Sequence, residues 1–163
     1  MPVLVRDCDQ NAAVEWVASR IPHVGVGKSF GPSLAVGVAS GLSASARLYA
    51  VVIFHDWQPA ALTAQASMAA ASPLWATRGI IRALFAIPFL EWGANKVWVA
   101  IPHANERAIR FNKGIGMKQE AVLRHQFGHN SHAVICSMLR REFNHRYGDY
   151  GHGQKKSVAA ARA

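Results

Sequence analysis

The chain has 163 residues, which is the length of one domain with one hydrophobic core. Hydrophobic residues make up 51% of it and charged residues only 17%, which excludes a chain that is disordered throughout. The net charge of +9 favours an acidic partner, such as a nucleotide, a nucleic acid or an anionic surface, and it carries no information about the fold.

Cysteine content and apolar runs indicate the compartment. Cys8 and Cys136 lie far apart and neither has a partner at metal-ligand spacing, so we expect two reduced thiols in a cytoplasmic protein. Arg6 comes too early for the apolar segment of a signal peptide. The longest apolar stretch, residues 79–92, is interrupted by charges and a proline, so we expect no membrane-spanning segment.

The first half of the chain predicts one helix and four strands. Asp9 is a plausible cap for a helix that ends near Pro22. Residues 23–32 are rich in glycine and proline and predict a loop, and residues 56–59 predict a turn. The strands are predicted at residues 2–6, 34–39, 47–55 and, over an alanine-rich stretch, 60–70.

The second half has clearer patterns. Ser72-Pro73 opens a helix that ends at Gly93, and Pro88 within it predicts a kink or break. Residues 97–101 are almost uniformly apolar, which is typical of a strand covered on both faces. An amphipathic helix is predicted from 104 to 115. Two strands are then predicted, at 117–127 and 132–140.

These elements predict one domain over residues 1–146, followed by a basic, flexible tail over 147–163. The helix between the strands at 60–70 and 97–101 implies a parallel crossover inside an otherwise antiparallel sheet. The predicted fold class is therefore α/β, with a mixed, mostly antiparallel sheet and helices on both faces.

One segment resembles a known family. Residues 105–120, Asn-Glu-Arg-Ala-Ile-Arg-Phe-Asn-Lys-Gly-Ile-Gly-Met-Lys-Gln-Glu, resemble the pattern N-x-x-A-x-x-x-Y-x-x-x-G-F-x-x-E of the Gcn5-related N-acetyltransferases. The segment also follows a buried strand and precedes a strand hairpin, as in that family. The chain also resembles small phage-encoded members of that family, which share a tryptophan before the central helix and a Pro-Phe pair within it, here Trp75 and Pro88-Phe89. The resemblance covers residues 60–142 and, by the order of elements alone, the first 59.

The resemblance implies a central pair of parallel strands that splay apart and hold the pantetheine arm of acetyl-coenzyme A between them. A freed backbone N–H beside Ser67 would polarise the thioester carbonyl. The N-terminus of the next helix would face the pyrophosphate. The residues that the resemblance assigns to the cofactor are Met68, Ala69, Trp75, Ala76, Thr77, Arg78, Gly79 and Asn105.

Three residues are candidates for catalysis. Ser67 is one, through its backbone, and His103 is a candidate base acting through water. Asn112 occupies the place of the family's tyrosine acid, although an amide cannot deliver a proton at neutral pH. Two of the three have a simpler structural account as well: Asn112 as a tolerated polar residue, and His103 as a loop histidine.

The candidates for binding the acceptor are His55, Asp56 and Trp57, which end a strand near the expected acceptor site. A turn around a partly buried tryptophan is the simpler account of this cluster. Asn105 is likewise a plausible helix cap. The chain departs from the family because residues 71–77 contain no glycine at the phosphate loop and residues 60–70 contain no glutamate base. We predict no metal site, because no pair of the eight histidines has ligand spacing within a helix.

The leading hypothesis is an acetyl-coenzyme A-dependent N-acetyltransferase that acts by direct transfer on a small-molecule or peptide amine. One alternative is a binding module of the same fold, with weak or no turnover, that associates with nucleic acid through its charge. Another is an enzyme of this fold that modifies nucleic acid or aminoacyl-tRNA. The sequence leaves the acceptor open, and also whether the chain forms a homodimer.

Overall fold

The computed structural model describes residues 1–21 and 30–148. The strands are Val3–Val5 (β1), Ser33–Ala39 (β2), Leu48–Gln58 (β3), Thr63–Ala70 (β4), Lys96–Pro102 (β5), Lys118–Leu123 (β6) and Ala133–Leu139 (β7). They form one sheet in the order β1-β2-β3-β4-β5-β7-β6. Every neighbouring pair is antiparallel except β4 and β5, which confirms the predicted mixed sheet.

The helices are Gln10–Ala18 (α1), Arg78–Ala86 (α2), Glu106–Gly114 (α3) and Arg140–Tyr147 (α4). Asp9, Thr77 and Asn105 cap the first three, each side chain accepting from the backbone N–H three residues further on. A 3-10 turn, Pro73–Trp75, precedes α2, and a π-helical turn, Ile87–Glu91, follows it. The helix predicted from 72 to 93 is thus divided into three parts, with Pro88 in the wide last turn.

Helices cover both faces of the sheet, as predicted. On one face α2 and α4 pack against the strands around Phe54, Phe89 and Phe143 in the larger core. On the other face α1 packs on β2 and β3, with Val17 and Ile53 in a smaller core. Because successive side chains of a strand point to opposite faces, the even-numbered residues of β4 face the larger core and the odd-numbered residues face the side of α1.

Two strand predictions need correction. Strand β3 continues through Asp56 to Gln58, with a bulge after His55, so the turn falls at residues 59–62 rather than 56–59. The bulge explains the difference, because it places Asp56 at a positive φ of 48° while the strand resumes beyond it. Strand β5 is not buried on both faces: its side chains alternate between buried and half-buried.

The end of the chain also differs from the expectation. The strand predicted to reach residue 140 stops at Leu139, and Arg140 begins α4. Tyr147, assigned to the tail, is the last residue of α4 and is buried. The rest of the predicted tail, from residue 149, and residues 23–29 of the predicted loop lie outside the described residues. Among the helices that the structure describes, none has the length and apolar character needed to cross a bilayer.

Candidate active site

The two parallel strands separate, as the predicted splay requires. Strands β4 and β5 pair only at Thr63 with Lys96, Ala64 with Val97 and Gln65 with Trp98. Beyond Gln65, β4 continues beside β3 to Ala70 while β5 continues beside β7 to Pro102. The facing edges of the two strands therefore carry backbone donors and acceptors that the sheet does not pair.

A cavity of about 580 Å³ occupies the gap between the separated strands. Residues 66–70 of β4 and 99–102 of β5 form its walls. Met68 and Val99 face the side of α3, whereas Ser67 and Ala69 face the side of α1. Because residues of both orientations line it, the cavity reaches both faces of the sheet through the splay.

The α3 side of the cavity is lined by aromatic and amide groups. The rings of Trp75 and Phe111 pack 5.2 Å apart. Asn112 is 6% exposed, and its Nδ2 donates to the Ala108 carbonyl at 2.8 Å. The amide is thus held against the preceding turn of α3 at the cavity wall, where it is a hydrogen-bonding group with no proton to release.

The α1 side holds a hydroxyl–imidazole pair. His55 on β3 and Ser67 on β4 face the same side, and His55 Nε2 lies 2.9 Å from Ser67 Oγ. His55 is 9% exposed and packs 5.0 Å from the Phe30 ring. Burial lowers the pKa of His55, and the Asp56 carboxylate opposes this only in part. A neutral imidazole is therefore available to accept a proton through the serine hydroxyl.

Among the residues that the sequence assigned to the cofactor, Met68, Ala69, Trp75 and Asn105 line the cavity. The four residues 76–79 do not line it. Thr77 caps α2, and the Arg78 guanidinium donates to the Arg146 carbonyl and lies 5.0 Å from the Tyr147 ring. The Arg78 side chain is therefore engaged by α4, on the outside of the site.

The remaining candidates His103, Asp56 and Trp57 are not among the residues that line the cavity. His103 lies outside the cavity lining, where its Nδ1 accepts from the His132 N–H at 3.1 Å. Asp56 accepts from the Gln58 amide at 2.8 Å, and Trp57 packs against Trp92 at 5.8 Å. Of the three predicted acceptor residues, His55 is within hydrogen-bonding distance of a residue of the cavity wall, Ser67. No group of three or more metal-ligating side chains suited to an ion occurs in residues 1–21 and 30–148.

Two of the described cavity residues, Arg20 and Arg107, are charged, and neither was predicted as a site residue. Arg20 follows the end of α1, and Arg107 lies in the first turn of α3. Arg107 belongs to the amphipathic helix predicted from 104 to 115, whose polar face is expected to be solvated. The sequence signal for Arg107 is its position in the segment 105–120. Arg20 belongs to no recognisable motif, so no sequence signal bears on it.

Comparison with known proteins supports the fold. No family model and no curated protein matches the chain. Mutant forms of the spermidine/spermine N-acetyltransferase SpeG from Vibrio cholerae superpose with a TM-score of 0.65 at 14% identity, over 90% of this chain and 99% of theirs. A chimera of the Vibrio cholerae enzyme and hSSAT gives 0.64 at 13% identity, over 86% of this chain and 98% of that one.

At this identity the likeness shows the fold alone. The chain has the fold of the Gcn5-related N-acetyltransferases, with one parallel pair in a seven-stranded, mostly antiparallel sheet. The finer resemblance to small phage-encoded members stays a prediction.

Proposed function

We propose that the protein is an N-acetyltransferase that moves an acetyl group directly from acetyl-coenzyme A to an amine. The observation that carries this proposal is the cavity that passes through the sheet at the splay. An acetyl group held between β4 and β5 is open to an acceptor from the side of α1, while α2 and α3 lie on the opposite face. The two substrates can therefore approach from opposite faces.

The residues present fit the cofactor. The pantetheine arm contains two amides, which match the unpaired backbone edges of residues 66–70 and 99–102. The exposed Arg107 at the cavity is suited to a phosphate. When bound, acetyl-coenzyme A supplies an activated acetyl thioester. A backbone N–H of the separated part of β4 would donate to the thioester oxygen as negative charge develops there.

The Ser67–His55 pair would prepare the acceptor. An aliphatic amine is mostly protonated at neutral pH and must lose a proton before its lone pair can attack. Ser67 lines the cavity, and its hydroxyl would accept that proton while it passes its own to His55 Nε2, 2.9 Å from Ser67 Oγ. General base catalysis of this kind contributes about 10²–10⁴-fold to the rate.

In this proposal, the thiolate of coenzyme A leaves without help from a general acid. Asn112 can donate a hydrogen bond from the cavity wall but cannot protonate sulfur. A thiol with a pKa of about 8.5 leaves readily as the anion, so the thiolate would take its proton from water. Turnover is therefore slower than with a positioned acid, and it is not abolished.

Spermidine is the acceptor given for several of the similar structures. At 13–17% identity this describes those proteins, and the proposal carries over acetyl transfer to an amine without the polyamine. The nucleic-acid and aminoacyl-tRNA alternatives rest on the net charge and stay predictions.

The test combines cofactor binding with turnover. Calorimetry should show saturable binding of acetyl-coenzyme A, and an amine panel should stimulate release of free thiol. His55→Gln should lower kcat by about 10²–10⁴-fold with little change in cofactor affinity. The matched control is His129→Gln, a histidine outside the cavity lining that should leave kcat unchanged.

Two results would count against the proposal. Absence of binding at millimolar cofactor removes its basis. Binding without acceptor-stimulated thiol release, across amines, peptides and charged tRNA, would favour the binding module of the same fold.

A further inference from the structure

We propose that the acceptor is an amine that also carries a carboxylate or a phosphate, and that polyamines are poor acceptors. This inference rests on the proposed function and adds the class of acceptor to it. Its basis is the distribution of charge around the α1 side of the cavity.

The middle of the sequence, from residue 16 to residue 90, is almost free of acidic residues. Between Glu15 and Glu91, Asp56 is the only aspartate or glutamate. Among the described elements, this stretch contains β2, β3 and β4, which carry His55 and Ser67, and it contains α2 on the opposite face of the sheet. Its basic residues are Arg20, Lys28, Arg47, Arg78 and Arg82. Of these, Arg20 lines the cavity, and Arg107 of α3 lies beside the same cavity, so the charged residues among its described lining are both basic.

The structure keeps carboxylates away from the cavity. None of the described residues that line it is acidic. Asp56 lies past the bulge of β3, outside the lining, and accepts from Gln58. Four glutamates outside the lining form ion pairs with basic side chains: Glu91 with Arg6, Glu106 with Arg110, Glu120 with Lys96, and Glu142 with Lys118.

Arg20 is placed to hold an anion at the α1 mouth. Its guanidinium lies 3.9 Å from the centre of the Trp16 ring. Nη1 donates to the Trp16 carbonyl and to Ser19 Oγ, both at 3.2 Å. These contacts restrain the planar head at the cavity wall, where it can form charge-assisted hydrogen bonds to a carboxylate or phosphate.

A polyamine lacks matching partners at the same place. Its second and third ammonium groups would face Arg20, and none of the described lining residues offers them a carboxylate. Like charges in a partly desolvated site repel, and a buried ammonium without a partner is costly. The site should therefore discriminate by charge among primary amines of similar length.

The test compares four acceptors at saturating acetyl-coenzyme A: propylamine, β-alanine, 2-aminoethyl phosphate and spermidine. We expect kcat/KM to be at least about tenfold higher for an anionic amine than for propylamine, with spermidine lowest. β-Alanine and 2-aminoethyl phosphate separate a carboxylate from a phosphate preference. Arg20→Gln should bring the ratio of anionic to neutral kcat/KM towards one, and Arg20→Lys should restore part of it. Arg47→Gln, an exposed arginine outside the cavity lining, is the matched control and should leave the ratio unchanged.

The outcomes separate this inference from the proposed function. If propylamine is acetylated but spermidine has the highest kcat/KM, or the ratio survives Arg20→Gln in a folded variant, the inference fails and acetyl transfer stands. If no amine stimulates thiol release, both fail. A charge preference lost in Arg20→Gln and kept in Arg47→Gln supports both.

Discussion

Replacing Tyr147 tests whether α4 belongs to the folded core, contrary to the sequence-based assignment of this residue to a tail. Tyr147 is 3% exposed, packs 5.6 Å from the Phe143 ring and donates its hydroxyl to the Ile115 carbonyl at 2.7 Å. Removing a buried aromatic side chain costs about 3–5 kcal/mol, against about 5–15 kcal/mol for the total stability of a domain. At about 2–4 °C per kcal/mol for a chain of this size, Tyr147→Ala should lower Tm by about 6–20 °C.

Tyr147→Phe separates the ring from its hydroxyl. The ring contacts remain and only the hydrogen bond to Ile115 is lost, so the expected cost is about 0.5–1.5 kcal/mol. Urea unfolding followed by circular dichroism measures both variants, provided that m stays constant. Leu74→Ala, at a side chain 62% exposed, is the control and should change stability by less than about 0.5 kcal/mol. A Tyr147→Ala variant as stable as the Leu74→Ala control would show that the end of α4 does not pack as described.

Three further predictions concern single positions. Gly116→Ala should destabilise the protein by about 1–3 kcal/mol, because φ at this position is +107° and the new Cβ would lie 2.7 Å from Arg146 Cδ. The control is Gly114→Ala, whose Cβ enters open space and should not destabilise. Equal melting temperatures for the two variants would refute this. Burial lowers the folded-state pKa of His55 below its unfolded value of about 6.5, so the unfolded chain binds the proton first and stability falls as pH drops below about 6.5. His55→Gln should flatten urea midpoints over that window, and parallel curves would contradict the assignment. Hydrogen bonds from Lys96 and Ser137 lower the pKa of Glu120 in the folded state. The stabilising contribution of the Glu120 carboxylate is therefore present above about pH 4.3 and is lost on further acidification. Glu120→Gln should remove this loss, which is measured by following stability during an acid titration.

Much of the fold could be predicted because its signals are local. Asp9 and Asn105 are good caps wherever a helix follows them, and both cap helices here. The helix between two apolar strands implied the parallel crossover, and it leads to the splayed pair of β4 and β5. Candidate cavity residues such as Met68 and Trp75 followed from that position.

The Ser67–His55 contact could not be predicted, because it depends on strand register. The two residues are twelve positions apart, and a shift of one residue between β3 and β4 would place them on opposite faces. The sequence therefore predicted the two residues independently, with Ser67 beside the cofactor and His55 beside the acceptor. Their distance of 2.9 Å follows only from the observed pairing.

Helix α4 was missed because its sequence is mostly polar. Residues 140–147 contain only two large apolar side chains, Phe143 and Tyr147, at a spacing of four. Glu142 accepts from the Leu139 N–H at the start of the helix, a capping signal that is weak without a Ser or Thr at the cap. Because α4 was not predicted, the hydrogen bond from Arg78 to the Arg146 carbonyl was not predicted either. Arg78 was therefore assigned to the pyrophosphate.

The neutral base and the proposed charge preference have one physical origin. A carboxylate close to His55 would raise its pKa and reduce the fraction of imidazole able to accept a proton. Asp56 already acts in that direction, although burial outweighs it. A site with the carboxylates needed for a polyamine would therefore weaken the base that His55 supplies. On the proposed function, burial lowers the pKa of His55 and keeps the imidazole neutral, and a described cavity lining without carboxylates lets Arg20 select an acceptor with negative charge.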